Sequence, residues 1–401
     1  MSKQVKIVIA ILLVLVTIGL TNCKGGGGDD KNVIKMGALI PLSHGLGKSI
    51  KQGMELAVAE INKKGLLGGK KIKIIYEDSA FKPDQGITKT KKLLAKDQVK
   101  FFIGGLTSGV TKAIAGIAKK YKPIMVWGGA ASTGVEKIFA KDDWFFHLHP
   151  WTYYNVAETV KFFKTTGGKT VAILHEDSEF GSDGAKVAEK MIQEQGMKVV
   201  MKTAFKKGSG KFEPILTKVK NVTPDILYVI CYNIDIIPLM QQMRNLDVNV
   251  PMVYPVPPSW PKEFPGMAIS EYVSALVLWA PGIKSAESEK FVKAFKAKWN
   301  RTPQLYWAPM GYVNVMVIAE AIKKAGSLDK AKVMKALSEI NMATPIGNLT
   351  FKPSKFIKHQ GFTEWMSFQW RNGKSVVVYP KEVAEKEHVY PMPKWSERKK
   401  K

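Results

Sequence analysis

From Val33 onward, short apolar runs alternate with longer amphipathic ones, and that alternation admits few folds. The spacing predicts strands over 33–40, 71–77, 101–104 and 124–127, with helices over 49–63, 83–96 and 108–120 between them. After a shift at 145–151 a second series begins. It runs helix 153–166, strand 170–175, helix 184–195, strand 198–205, helix 212–219, strand 226–231 and helix 236–246. Residues 253–265 are rich in Pro and aromatics and read as a loop, followed by a strand over 272–278 and helices near 287–299, 307–325 and 328–340. Asn372 and Gly373 between apolar runs at 365–370 and 376–379 give a hairpin signal. Short strands joined by crossover helices build parallel sheets with both faces covered. The 401 residues outrun a single core, which stops growing at roughly 250–300 residues. The fold class expected is α/β, with two doubly wound parallel-sheet lobes. Two such series can be joined by simple fusion or by repeated crossing of the chain, and the pattern does not distinguish these.

The N-terminus reads as an export signal. Lys3 and Lys6 precede a charge-free apolar stretch over 7–20, which is shorter than the 20 or so residues a spanning helix needs. The stretch ends in Leu20, Thr21, Asn22, Cys23, followed by a run of glycines over 25–28. This resembles a bacterial lipoprotein signal, with Asn22 standing where that pattern prefers a small residue. The expectation is a signal peptide over 1–22, acylation at Cys23 and a flexible tether over 23–32. The body is then expected in the periplasm or on an extracytoplasmic face, held to the membrane by lipid. Cys231, the second of two cysteines, lies in an apolar run and reads as a small buried core residue without a disulfide partner.

Composition narrows function chiefly by exclusion. A formal charge of +27 raises nucleic acid as a partner. However, the lysines are spread over every amphipathic segment, with no helix-turn-helix or zinc pattern, so no nucleic-acid partner is expected. The basic end, residues 398–401, reads as a solvated tail. His147 and His149 share one strand face, yet no Cys or carboxylate at matching spacing joins them as metal ligands. Gly104, Gly105 and Gly109 make neither a dinucleotide fingerprint nor a P-loop. Asp177 and Glu179 read as a solvated turn. Neither a catalytic set nor a cofactor is expected.

An ordered set of segments carries a resemblance. It comprises Gly37 to Ser43 in sequence, Gly53 to Ala57, the stretch 60–65, Asp78, the stretches 104–108 and 128–132, then Phe180, Gly181, Ser182 and the late stretch 347–351. Over about residues 33–380 the chain resembles type I periplasmic binding proteins of the leucine/isoleucine/valine-binding family, which serve ABC transporters. That resemblance implies a Venus-flytrap fold whose chain crosses between lobes three times. Lobe 1 would hold residues 33–148 and 277–347, lobe 2 residues 149–275 and 352–380, with a C-terminal tail over 381–401. It implies hinge closure over a small-molecule ligand, delivery to permease subunits, no enzymatic activity, and a monomer. A ligand-binding sensory protein that feeds a receptor is the alternative on the same fold.

The resemblance also points to a site. Thr107 and Ser108 stand where a strand gives way to a helix, behind Gly104 and Gly105, so free amides and a hydroxyl meet the cleft ready for a carboxylate. Gly129, Ala130, Ala131 and Ser132 match the second segment that holds this carboxylate, with Ala131 or Ser132 at the hydroxyl position. Leu46, Phe180 and Tyr232 match wall positions, and the aromatic residues Trp127, Tyr254 and Trp260 are further wall candidates, about half of these rings being expected in the core. Amino-acid-binding relatives can carry an acid for the substrate ammonium in the segment that here reads Tyr254 to Trp260. No acid appears in it before Glu263. A carboxylate ligand without an α-ammonium, aromatic or apolar in body, is therefore expected.

Overall fold

The computed structural model describes residues 32–257, 259–303 and 305–398. The predicted signal peptide, Cys23 and nearly all of the tether lie outside the described residues.

The first series forms one sheet of β1 (Val33–Ile40), β2 (Lys71–Asp78), β3 (Phe101–Gly104), β4 (Ile124–Trp127) and β5 (Phe145–His147). Its order is β2-β1-β3-β4-β5, every neighbouring pair parallel. β3 and β4 are buried at every position, as expected of central strands with helices on both faces. Those helices are α1 (Gly45–Lys64), α2 (Pro83–Lys91), α3 (Ser108–Tyr121) and the short α4 (Thr133–Ile138). The helical pattern over 83–96 is α-helical only to Lys91 and ends in a π-helical turn, Lys92–Lys96.

The second series forms a parallel sheet of β6 (Thr170–Glu176), β7 (Lys198–Phe205), β8 (Ile226–Ile230) and β9 (Met252–Pro255), in the order β7-β6-β8-β9. Its helices are α5 (Thr152–Thr165), α6 (Glu179–Glu194), α7 (Glu213–Val222) and α8 (Ile236–Asn245). β9 corrects the reading of 253–265 as one loop. Pro255 is tolerated because it closes an edge strand. α6 begins five residues earlier than its apolar spacing predicts, because Ser178 caps it by accepting from the Gly181 N–H at 3.1 Å.

The remaining chain is shared between the two. α10 (Trp307–Ala325) packs along α1, with α9 (Ala286–Trp299) and α11 (Lys330–Ser338) beside them. The α1–α10 contact is backbone against backbone. A Cβ added at Gly53 would lie 1.8 Å from the Ala308 carbonyl oxygen, and one at Gly311 would lie 2.1 Å from that of Ile50. β10 (Ser274–Val277) lies beside β9 and joins the hairpin of β13 (Met366–Arg371) and β14 (Lys374–Tyr379) in an antiparallel sheet. β11 (Asn341–Ala343) and β12 (Asn348–Thr350) form a small separate hairpin.

Arg398 is not part of a solvated tail. It is buried, with its guanidinium 3.7 Å over the Trp395 ring and its Nε donating to the Pro393 carbonyl. Trp395 is itself tied down by its indole N–H on the Val248 carbonyl. Residues 399–401 lie outside the described residues. Cys231 is fully buried, and burial pushes its thiol pKa well up, as suits a core residue. Among the described residues no helix is long and apolar enough to cross a membrane.

Candidate functional site

The chain leaves β3 through Gly104 and Gly105, both at positive φ (108° and 77°). A Cβ on Gly105 would strike the Trp127 indole at 2.2 Å, so glycine is required there twice over. Thr107 then takes the N-cap position of α3 without capping it by its side chain, and its buried Oγ1 has no hydrogen-bond partner. Among the described residues, the amides of Ser108, Gly109 and Val110 at the start of α3 have no acceptor either. The segment after β4 runs alongside: Gly128 N–H donates to the Gly104 carbonyl and Ala130 N–H to that of Leu106. Ala130 is held in the left-handed region (φ 73°), an uncommon state for a residue with a side chain. The Ala131 N–H beside it has no acceptor among the described residues. Ser132 N–H donates to Ser108 Oγ at 3.2 Å, which leaves the Ser108 hydroxyl hydrogen available. The result is a cluster of N–H groups and one hydroxyl at a helix N-terminus, a built arrangement for an anion.

This cluster opens on a cavity of about 660 Å³, space open to solvent included. Leu106, Ser108, Ala130 and Ala131 form its first-sheet wall. Phe180, Tyr228, Ile230 and Tyr232 form the second-sheet wall. His149, Thr152 and Asn155 come from the crossing into α5, with Tyr306, Trp307 and Trp365 beside them. Among the described residues lining it there is no Asp, Glu, Lys or Arg.

Of the residues singled out from sequence, Ser108, Ala130, Ala131, Phe180 and Tyr232 line this cavity. Thr107 sits behind Ser108, and Gly129 supplies a carbonyl to His147 Nε2 at 2.8 Å. Ser132 is occupied as the α4 cap, accepting from Gly134 and Val135, while its hydroxyl donates to Glu179 Oε1 at 3.2 Å. Leu46 lines an adjoining groove with Ser49, Trp260 and Arg301. Trp127 and Tyr254 do not reach the cavity. Trp127 is fully buried on the far side of its sheet against Phe102, its N–H donated to Thr111 Oγ1 at 2.9 Å. Tyr254 is fully buried with its hydroxyl 2.7 Å from Ser367 Oγ. Trp260 packs on Phe264 and Trp370. Neither Asp235 nor Glu263 lines the cavity: Asp235 accepts from the Gly208 amide, and Glu263 is exposed.

Sequence reasoning missed His149, Thr152, Asn155, Tyr228, Tyr306, Trp307 and Trp365 as lining residues. The one visible signal was the Tyr306, Trp307 pair opening an apolar helix. His147 and His149 part company in the structure. His147 is wholly buried between Gly129 and Gln360 (3.2 Å to Oε1) and stacks on Trp151 at 3.7 Å, and burial lowers its pKa to about 3. His149 faces the cavity, with Nδ1 2.8 Å from the Pro150 carbonyl and its ring parallel to Trp307, and burial lowers its pKa to about 4.

Polar contacts tie the two sides together at the rim. Thr133 donates to Asp183 through its N–H (2.9 Å) and hydroxyl (3.2 Å), and Lys112 pairs with Glu179 at 3.1 Å. Phe81 meets Tyr232 edge to face, centroids 5.7 Å apart, with Lys207 Nζ 4.3 Å above the tyrosine ring. Beneath them Glu176 is buried and accepts from the Tyr232 N–H at 2.8 Å and from the Ser178 hydroxyl. Burial raises its carboxyl pKa.

Comparison with known proteins gives the family. The family model described as "Periplasmic binding protein" matches residues 33–375. A Leu/Ile/Val-binding protein homolog from Brucella abortus is 24% identical over 397 residues, covering 91% of this chain and 96% of its own. Two solved structures share the fold. A leucine-binding protein from Thermotoga maritima has a TM-score of 0.78 at 20% identity, covering 86% of this chain and 97% of its own. A solute-binding protein of an ABC transporter from R. palustris, in complex with benzoate, has a TM-score of 0.76 at 19% identity, covering 86% and 95%.

Proposed function

The chain belongs to the periplasmic binding protein family, and we propose that its cavity captures a small carboxylate with an aromatic or extended apolar body. As a family member it is a solute-binding protein of the ABC transporter type and not an enzyme, and the family implies an extracytoplasmic location. The single observation that carries the ligand reading is the pairing of two features in one cavity. Unpartnered N–H groups and the Ser108 hydroxyl gather at the start of α3, and the other walls are rings without a charged side chain among the described residues. A carboxylate satisfies those donors and gains from the helix terminus. An ammonium in the same space would lack a counter-charge, a penalty of several kcal/mol. The rings suit a flat body, each good ring pair adding about 0.5–1.5 kcal/mol beyond area burial. The benzoate complex of the R. palustris protein is in keeping with this reading. The name of the Brucella relative makes a branched-chain amino acid the competing class.

The rest of the proposal concerns delivery. Acylated Cys23 holds the protein at a membrane, the body acts as a monomer, and permease subunits receive the ligand. The lobes are 33–148 with 277–347, and 149–275 with 352–380. The packing of α9, α10 and α11 on the first-sheet side, and of the β10–β13–β14 sheet beside β9, supports that division.

The deciding experiment is a thermal-shift panel of leucine, isoleucine, valine, polar amino acids, benzoate-like acids and short fatty acids. Ligand at a hundred times its Kd stabilises the native state by about 2.7 kcal/mol, a readable rise in Tm. A rise with acids alone is expected. A rise with leucine but not with the simple acids would overturn the ligand class.

A further inference from the structure

We propose that this cavity selects ligands bearing a hydroxyl group in addition to the carboxylate, and that His149 and Trp365 are the residues that read it. The inference rests on the ligand reading above and concerns the part of the cavity away from the α3 terminus.

His149 is 6% exposed and lines the cavity. Its Nδ1 lies 2.8 Å from the Pro150 carbonyl oxygen, which can only accept, so the ring hydrogen is on Nδ1. The ring is neutral, since burial holds its pKa near 4. Nε2 is then a bare lone pair, and it has no partner among the described residues. It can accept a hydrogen bond but not give one, so it has nothing to offer a carboxylate, ether or carbonyl oxygen.

Trp365 supplies the complementary half. It is also 6% exposed and on the cavity wall, and its indole N–H is buried without an acceptor. The two rings meet edge to face with centroids 5.3 Å apart, so a ring that can accept and a ring that can donate are neighbours on the cavity wall. The buried Trp365 N–H without a partner costs about 1–3 kcal/mol, and beside a ring that can only accept it calls for a group that both donates and accepts. A hydroxyl does so through one oxygen: it donates to His149 Nε2 and accepts from Trp365 Nε1. Asn155, whose side-chain oxygen is likewise buried without a partner, adds a further polar position on the same cavity. Sites built to bond a hydroxyl reject the analogue that lacks it far better than apolar pockets reject an added one.

The test is calorimetric titration of the full-length protein with benzoate, its three monohydroxy isomers and the matching methoxybenzoates, which accept but cannot donate. At least one hydroxybenzoate should bind about tenfold or more tighter than benzoate and than its methoxy counterpart, the size expected of one buried hydrogen bond with a partner otherwise left unmade. In His149→Phe, which keeps a flat ring against Trp307, the ratio of hydroxybenzoate to benzoate affinity should fall to within about threefold. His149→Gln, which can offer an acceptor oxygen, should retain part of it. If His149→Phe does not fold, the ratio read on His149→Gln and on Trp365→Phe decides, and an undiminished preference in both overturns the inference. It is overturned equally if the wild-type protein prefers no hydroxy isomer, or if the preference survives in His149→Phe. Those results leave benzoate binding, and hence the carboxylate reading, standing. Failure of every benzoate to bind while leucine binds overturns both together.

Discussion

Replacing Ser108 by Ala separates the anion-binding role of this residue from its structural one. Ser108 Oγ accepts the N–H of Ser132, and both residues are buried. Removing the hydroxyl strands that N–H, which costs about 1–3 kcal/mol and should appear as a lowered denaturation midpoint without ligand. With ligand bound, the variant also loses the hydroxyl's hydrogen bond to a carboxylate, worth about 1.5–3 kcal/mol, or roughly ten- to a hundredfold in Kd. The two effects are read independently, the first by urea unfolding of the free protein and the second by titration calorimetry with the tightest acid from the thermal-shift panel. Ser132→Ala is the control. It removes the cap of α4, at about 1 kcal/mol in stability, but leaves the Ser108 hydroxyl in place, so its Kd should change by less. If Ser108→Ala lowers stability while Kd stays within about twofold, Ser108 only braces the loop after β4, and the carboxylate is held elsewhere.

Four other outcomes follow. Asp183→Ala removes both Thr133 contacts across the rim and should weaken ligand binding by about three- to tenfold, as hydrogen bonds of about 0.5–1.5 kcal/mol at a half-exposed site would; unchanged affinity by calorimetry would mean the rim does not stabilise the liganded state. Gly53→Ala should destabilise by about 1–3 kcal/mol in urea unfolding, even though Ala is the better helix former by about 1 kcal/mol, because its Cβ meets a backbone oxygen that cannot turn aside. The folded pKa of His149 lies below the ordinary value, so the unfolded chain takes up that proton first and stability falls as pH drops from about 6.5. His149→Phe should flatten the pH dependence between 5 and 6.5 by up to about 1.4 kcal/mol per pH unit, and equal slopes would refute it. Cys23→Ala in the full-length protein should abolish lipid labelling and shift the protein from membrane to soluble fractions; unchanged labelling would remove the anchor.

The architecture was legible because central parallel strands such as β3 and β4 are short, fully apolar and run into glycines, and these two, with β1 and the edge strand β7, were predicted to the residue. β9 was hidden because Pro255 and its aromatic neighbours carry a loop's composition, and only its place at the sheet edge makes a strand of them. The anion cluster was legible for a local reason: it is made from consecutive residues at two strand-to-helix turns. The walls were not. A central parallel strand is apolar on both faces, so nothing in its pattern says that Trp127 points toward Phe102 and away from the cavity. His147 and His149 share a face by parity, but the chain leaves β5 after His147, and only that crossing separates a core histidine from one on the cavity wall.

The glycine contact between α1 and α10 bears on how the protein discriminates. Trp307 opens α10, one residue before the Ala308 carbonyl that rests on Gly53. A backbone-on-backbone seam has little play, and the buried indole is packed against the His149 and Tyr306 rings, so it is preorganised before any ligand arrives. A ligand therefore meets this wall as a rigid template: a ring that fits spends little conformational entropy on ordering it, and one a little too thick cannot push it aside. Selection by shape at this wall should act mainly on the dissociation rate, with plasticity left to the rim, where Phe81 and Lys207 cover Tyr232.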